Sequence, residues 1–218
     1  MRIGSRLVLL GGLFLAACAH TSPASPTAAP GLTADARLSI AAAAQASGDA
    51  STAIAMLAAA AQAAPQRADV QQRYVRALAD AGQVERATSV LEAAHTAIPN
   101  DPRLTYEAAR LKLLAGDSAG ALALLDALLK TSPRDPAALS ARGVALDLAG
   151  NHDAAQDSYR QALQVAPNSA AARNNLAISL LLQGHPDQSR TLLEQAKAVD
   201  NAPPRVAHNL DFVASGGN

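Results

Sequence analysis

Histidine and cysteine are the residue types in this 218-residue chain best suited to metal ligation or nucleophilic chemistry. There are five histidines and one cysteine. His152 and His185 have Asp153 and Asp187 close by in sequence. Imidazole and carboxylate are the donor types of a hydrolytic metal centre. These four residues therefore define a remote expectation, a metal-assisted hydrolase. Little else supports it. H-E-x-x-H, G-x-x-x-x-G-K-[ST] and G-x-G-x-x-G are all absent from the sequence. Asp147, Asp153 and Asp157 are dispersed in the manner of helix-surface and capping groups rather than an acid–base pair. His20 lies in a polar stretch with no partner group nearby. No catalytic residue, metal or cofactor is assigned, and the chain is read as non-enzymatic.

The elements that carry these residues repeat. Gly48, Gly82, Gly116, Gly150 and Gly184 recur at a fixed interval of 34 residues. Pro65, Pro99, Pro133 and Pro167 keep the same interval, as do Ala53, Ala87, Ala121, Ala155 and Ser189. Leu57, Leu91, Leu125, Tyr159 and Leu193 form a fourth column, and Ala60, Ala94, Leu128, Ala162 and Ala196 a fifth. The glycine falls where one helix must stop and reverse. The proline ends the second helix. The small and leucine columns give that second helix one apolar face. Each unit is thus a helix–turn–helix pair that buries its apolar face only by stacking. The fourth unit, with Leu139, Gly143, Leu146, Gly150, Ala155, Tyr159, Ala162 and Pro167, closely resembles the tetratricopeptide repeat (TPR) consensus. The expected fold is all-α: an α-solenoid of about five TPR units at 34–67, 68–101, 102–135, 136–169 and 170–203. A C-terminal capping helix and tail follow over 204–218. Arg205, His208 and Asp211 are expected on its solvated outer face. Lys112 and Arg142 depart from the apolar pattern and are expected to point their charges outward.

The resemblance implies a function in binding. In TPR proteins the first helix of each unit lines a concave groove. Carried onto this sequence, the groove positions include Arg73, Arg76, Arg103, Tyr106 and Arg110, expected to converge at its centre. They also include Glu107, Ser140, Asp147, Asn174, Asn175 and Ile178. Arg and Tyr are common interface anchors, and Asn offers a paired donor and acceptor to a peptide backbone. The full Lys/Asn clamp of chaperone-binding relatives is absent.

Composition narrows the partners. Aromatics make up 2% of the chain and Trp is absent, which argues against a β-sandwich or barrel. Lys plus Arg and Asp plus Glu are 18 each. Without Arg2 and Arg6 the balance is 16 basic to 18 acidic residues. No basic block appears, so nucleic acid is not an expected partner, and no small-molecule substrate is assigned. Arg2 and Arg6 precede the apolar run Leu7–Ala17, which is shorter than the roughly 20 residues that a membrane span needs. The run fits a signal peptide over 1–17. It closes in Leu15-Ala16-Ala17-Cys18, which resembles a bacterial lipobox. Cys18 is then the lipidated N-terminus of the mature chain, and Ala19–Thr33, rich in Pro, Ser and Ala, is a disordered tether. Each buried acyl methylene adds about 0.8 kcal/mol, so several chains anchor stably. Ala19, where lipoproteins retained at the inner membrane often carry Asp, favours the outer membrane facing the periplasm.

The segment from Gly143 to Asn209 allows a narrower comparison. Gly143-Val144-Ala145-Leu146-Asp147, Asn174-Asn175-Leu176, Pro204-Arg205-Val206 and Asn209-Leu210 resemble TadD proteins. These are TPR lipoproteins of the tight adherence (Tad) or Flp pilus assembly system. The resemblance implies a pilotin-like scaffold that binds a segment of the secretin or another Tad component. The alternative is an adaptor for peptidoglycan enzymes or another envelope machine.

Overall fold

Alanine and leucine dominate the apolar residues, and both favour helix. The computed structural model describes residues 31–215. The signal segment, Cys18, the tether up to Pro30 and the tail from residue 216 lie outside the described residues. Among the described residues there are eleven helices and no strand. They pair along the chain: α1 (Ala34–Ala46) with α2 (Ala50–Ala63), α3 (Ala68–Asp80) with α4 (Val84–Ala97), and α5 (Pro102–Leu114) with α6 (Ser118–Thr131). Next come α7 (Pro136–Leu148) with α8 (His152–Val165), and α9 (Ala170–Leu182) with α10 (Pro186–Lys197). The unpaired α11 (Pro204–Ala214) closes the array. This is the all-α solenoid that the repeat predicts.

Local chemistry sets the helix boundaries. Gly48, Gly82, Gly116, Gly150 and Gly184 take φ between 74° and 81°, a region that L side chains avoid. Each reverses the chain within a pair. The helices α2, α4, α6 and α8 each stop two residues before a column proline, because the residue preceding proline is disfavoured in helical conformation. Where the fifth unit has Asn201 in place of proline, the asparagine itself turns the chain at φ 56°. Thr33, Asp49, Asp101, Asp117, Asp135 and Ser169 cap helix starts by accepting backbone N–H bonds.

Packing follows the columns. Leu57, Leu91, Leu125, Tyr159 and Leu193 are all buried, as are the small residues Ala53, Ala87, Ala121, Ala155 and Ser189 that let paired helices approach. A fully buried leucine contributes about 1.5–3 kcal/mol. Gly143 is a local exception with a clear cause, since a Cβ there would overlap the Tyr159 ring. From α3 onward each odd-numbered helix also touches the next odd-numbered helix, whereas successive even-numbered helices make no comparable contact. The odd helices therefore form the inner layer of the curve.

Lys112 and Arg142 turn their charges outward while remaining in the packing. Lys112 pairs with Asp117 at 2.9 Å. Arg142 pairs with Asp126 at 2.7 Å and donates to Ser158 Oγ at 2.9 Å.

Candidate peptide-binding groove

The inner helices place their candidate residues through helical spacing. On α5, Arg103, Tyr106 and Arg110 are three and four residues apart and share one face. A cavity of about 440 Å³ opens beside them, lined by Tyr106, Arg110, Ser140, Val144, Asn175 and Arg205, among others. A second cavity of about 240 Å³ lies on the other side of Tyr106, bounded by Gln72, Arg76, Arg103 and Asp135. Tyr106 thus stands between two openings. Burial pushes its pKa up, against the opposing pull of Arg110 and Arg76, so its hydroxyl stays protonated and can donate.

The centre of the predicted arginine cluster is held by a carboxylate. Glu107 is 1% exposed. It accepts from Gln72 Nε2 at 3.1 Å, from Arg76 Nε at 3.1 Å and Nη2 at 2.5 Å, and from Arg110 Nη1 at 2.7 Å. Arg110 also reaches Asp80 at 3.1 Å. Burial works against the Arg110 charge, but its carboxylate partners outweigh that and hold its pKa above the ordinary value. Arg76 and Arg110 therefore spend much of their charge within the protein. Arg73 and Arg103 are exposed. Arg103 borders the second cavity, whereas Arg73 borders neither.

The asparagines have a structural role that the sequence pattern did not reveal. Asn174 is buried, accepts from Asn209 Nδ2 at 2.8 Å and donates to Asn175 Oδ1 at 3.4 Å. Asn175 donates to Ser140 Oγ at 3.4 Å while also facing the cavity. Gln72–Glu107, Ser140–Asn175 and Asn174–Asn209 are equivalent pairs that join successive inner helices. The series breaks at Tyr106 and Ala141, where the larger cavity opens. Of the candidate residues, Arg76, Arg103, Tyr106, Arg110 and Asn175 are brought to the groove. Asn174 is turned into the inter-helix ladder.

Arg205 corrects an expectation. It does not sit on an outer cap face; it lines the same cavity as Tyr106 and Arg110, because the solenoid curls enough to bring α11 across from α5. The clue in the sequence was its column, since Arg205 lies three whole periods after Arg103.

The histidine–carboxylate set is not assembled. Among the described residues no three His, Cys, Asp or Glu side chains approach as metal ligands would. The His152 Nδ1 lies 2.9 Å from Asp147 Oδ1, which also accepts from Ser179 Oγ at 2.8 Å. Tyr159 donates to Asp147 Oδ2 at 2.9 Å. Burial, and then Asp147, raise the Tyr159 pKa far above its ordinary value. Asp153 accepts from Gln183 at 2.8 Å. Asp147 thus ties α7, α8 and α9 together rather than facing a ligand. Among the described residues no helix is long and apolar enough to cross a membrane.

The chain is similar to known proteins at the level of fold. A thermophilic TPR protein from Thermus thermophilus superposes with a TM-score of 0.76 at 18% identity, over 84% of this chain and 100% of that one. MamA from Desulfovibrio magneticus RS-1 superposes with a TM-score of 0.57 at 18% identity, over 78% of this chain and 97% of that one. No curated protein matches in sequence. The family model described as tetratricopeptide repeat matches residues 44–103, 78–144 and 148–210, well over half the chain. Proteins built this way generally act as non-catalytic scaffolds that bind partners on an extended concave surface. With its 34-residue glycine, proline and small-residue columns, its paired helices and that match, the chain belongs to the tetratricopeptide repeat family.

Proposed function

We propose that this protein is a lipid-anchored scaffold for assembly of a Tad/Flp-type pilus, working like a pilotin at the periplasmic face of the outer membrane. The observation that carries the binding part of this reading is the concave groove at Tyr106, with open cavities on both sides and arginines at its border. The lipobox residues Leu15 to Cys18 support the anchor. The resemblance of Gly143–Asn209 to TadD proteins supports the pilus system. In this reading Cys18 carries the acyl chains and Ala19–Thr33 holds the solenoid away from the membrane. The groove grips a segment of the secretin or another Tad component and brings it to the outer membrane.

The test is crosslinking capture from membranes combined with a Cys18→Ala strain. Recovery of a secretin or other pilus components is expected, with loss of pili and of secretin multimers in the Cys18→Ala strain. Normal pili in that strain would overturn lipid-guided piloting. Recovery of peptidoglycan enzymes without any pilus component would replace this reading with the envelope adaptor.

A further inference from the structure

Among the described residues five large hydrophobic side chains remain exposed, and four of them follow the inner face of the solenoid. Leu114, Leu148 and Leu182 are 57%, 57% and 61% exposed, and Phe212 is 45% exposed. Apolar patches of this kind commonly mark interaction sites. The three leucines are one repeat apart, each ending an inner helix. Leu114 lies four residues after Arg110, and Leu148 four after Val144, so each continues the face that borders the 440 Å³ cavity. Leu182 holds the same place on α9, and Phe212 occupies on α11 the column of Val144.

The opposite border is basic. Arg103 and Arg205 stand at the N-terminal ends of α5 and α11. Neither makes an ion pair with a described residue. Arg205 lines the larger cavity, where no carboxylate is present, and Arg103 lines the adjoining smaller one, which Asp135 also borders. Eleven residues of helix separate the two borders, about 16 Å.

We propose that the groove takes an acidic amphipathic helix of a partner protein. The helix lies across the inner helices, with aliphatic side chains on the Leu114–Leu148–Leu182 border and carboxylates toward Arg103 and Arg205. The proposal rests on the reading of the concave face as the partner site and narrows its occupant. Spacing selects the conformation. Packed inner helices lie about 8–10 Å apart, and a helix presents the same face every seven residues, about 10.5 Å. In a strand that distance is about three residues, which returns the opposite face. Polyproline II has a similar repeat but is taken by aromatic-lined grooves, and this border is leucine. A helix about 10–12 Å across fits between the two borders.

A labelled synthetic peptide of three heptads tests this, with leucine on one face and glutamate on the other, titrated into the full-length protein in detergent. Three control peptides are a scrambled sequence, a version with lysine for glutamate, and a version with a central proline. The parent peptide is expected to bind at least about tenfold more tightly than each control, and more weakly as salt rises. Leu148→Glu and Arg205→Glu, both at exposed positions, should each weaken binding by at least about tenfold without lowering the melting temperature. Equal binding of the scrambled peptide, undiminished binding of the proline version, or unchanged affinity in both variants would overturn the proposal. Failure of the peptide series while a secretin is still captured from membranes overturns the helix and leaves the scaffold. Failure of that capture removes the scaffold reading whatever the peptides do.

Discussion

At the scale of single residues, two departures from the repeat explain each other. Gly143 sits where other units carry Ala41, Val75, Ala109 and Ala177. Tyr159 sits where they carry Leu57, Leu91, Leu125 and Leu193. The larger ring occupies the space that a Cβ at residue 143 would need. Gly143→Ala is therefore expected to destabilise by about 1–3 kcal/mol through overpacking. Adding Tyr159→Leu should recover part of that loss, read as the melting temperature of the double variant. A second residue-scale expectation concerns Glu107. It is buried beneath Arg76 and Arg110, so Glu107→Gln removes the charge both arginines face. A loss of about 1–3 kcal/mol is expected in chemical denaturation. The half-exposed Arg76 keeps the figure toward the lower end.

At the scale of elements, the turns and caps decide where helices begin and end. Gly150 has φ 79° with open space around it, so backbone conformation alone constrains it. Gly150→Val should lower the melting temperature more than ordinary surface changes do, because a β-branched residue resists positive φ. The caps add a pH dependence. Asp49, at the start of α2, is held below its ordinary pKa by hydrogen bonds from Thr52. Asp117, at the start of α6, is held down by Lys112 and then by the Gly120 N–H, and Asp69 by Arg67. A depressed carboxylate stabilises the fold above its unfolded pKa, about 3.9. That stability disappears as pH falls through the folded values. The melting temperature should be flat from neutrality to about pH 5 and fall below about pH 4. Asp117→Asn should make the fall shallower.

At the scale of the whole molecule, each unit touches only its neighbours, so stability accumulates along the array. The apolar side of α11, with Val206 and Val213 buried, covers α9 and α10. Deleting residues 204–218 is expected to expose that surface and lower the melting temperature. Hydrogen exchange should quicken first in α9 and α10 and leave α3 to α6 largely protected. Uniform loss of protection along the chain would mean that the solenoid unfolds as one cooperative block.

The sequence by itself determined the helix pairs, their reversal at glycine and the family, because these depend on local conformation and on a period written into the chain. It also placed Arg73, Arg76, Arg103, Tyr106 and Arg110 on the first helices of their units, which form the inner layer. The use made of each polar side chain was decided only in the tertiary structure. Glu107 neutralises part of the arginine cluster, Asn174 belongs to an inter-helix ladder, and Arg205 faces the groove rather than the outside. Those outcomes depend on the curvature of the stack and on contacts between residues about a repeat or more apart. A column of identical spacing cannot distinguish a side chain that meets its neighbour from one that meets a partner.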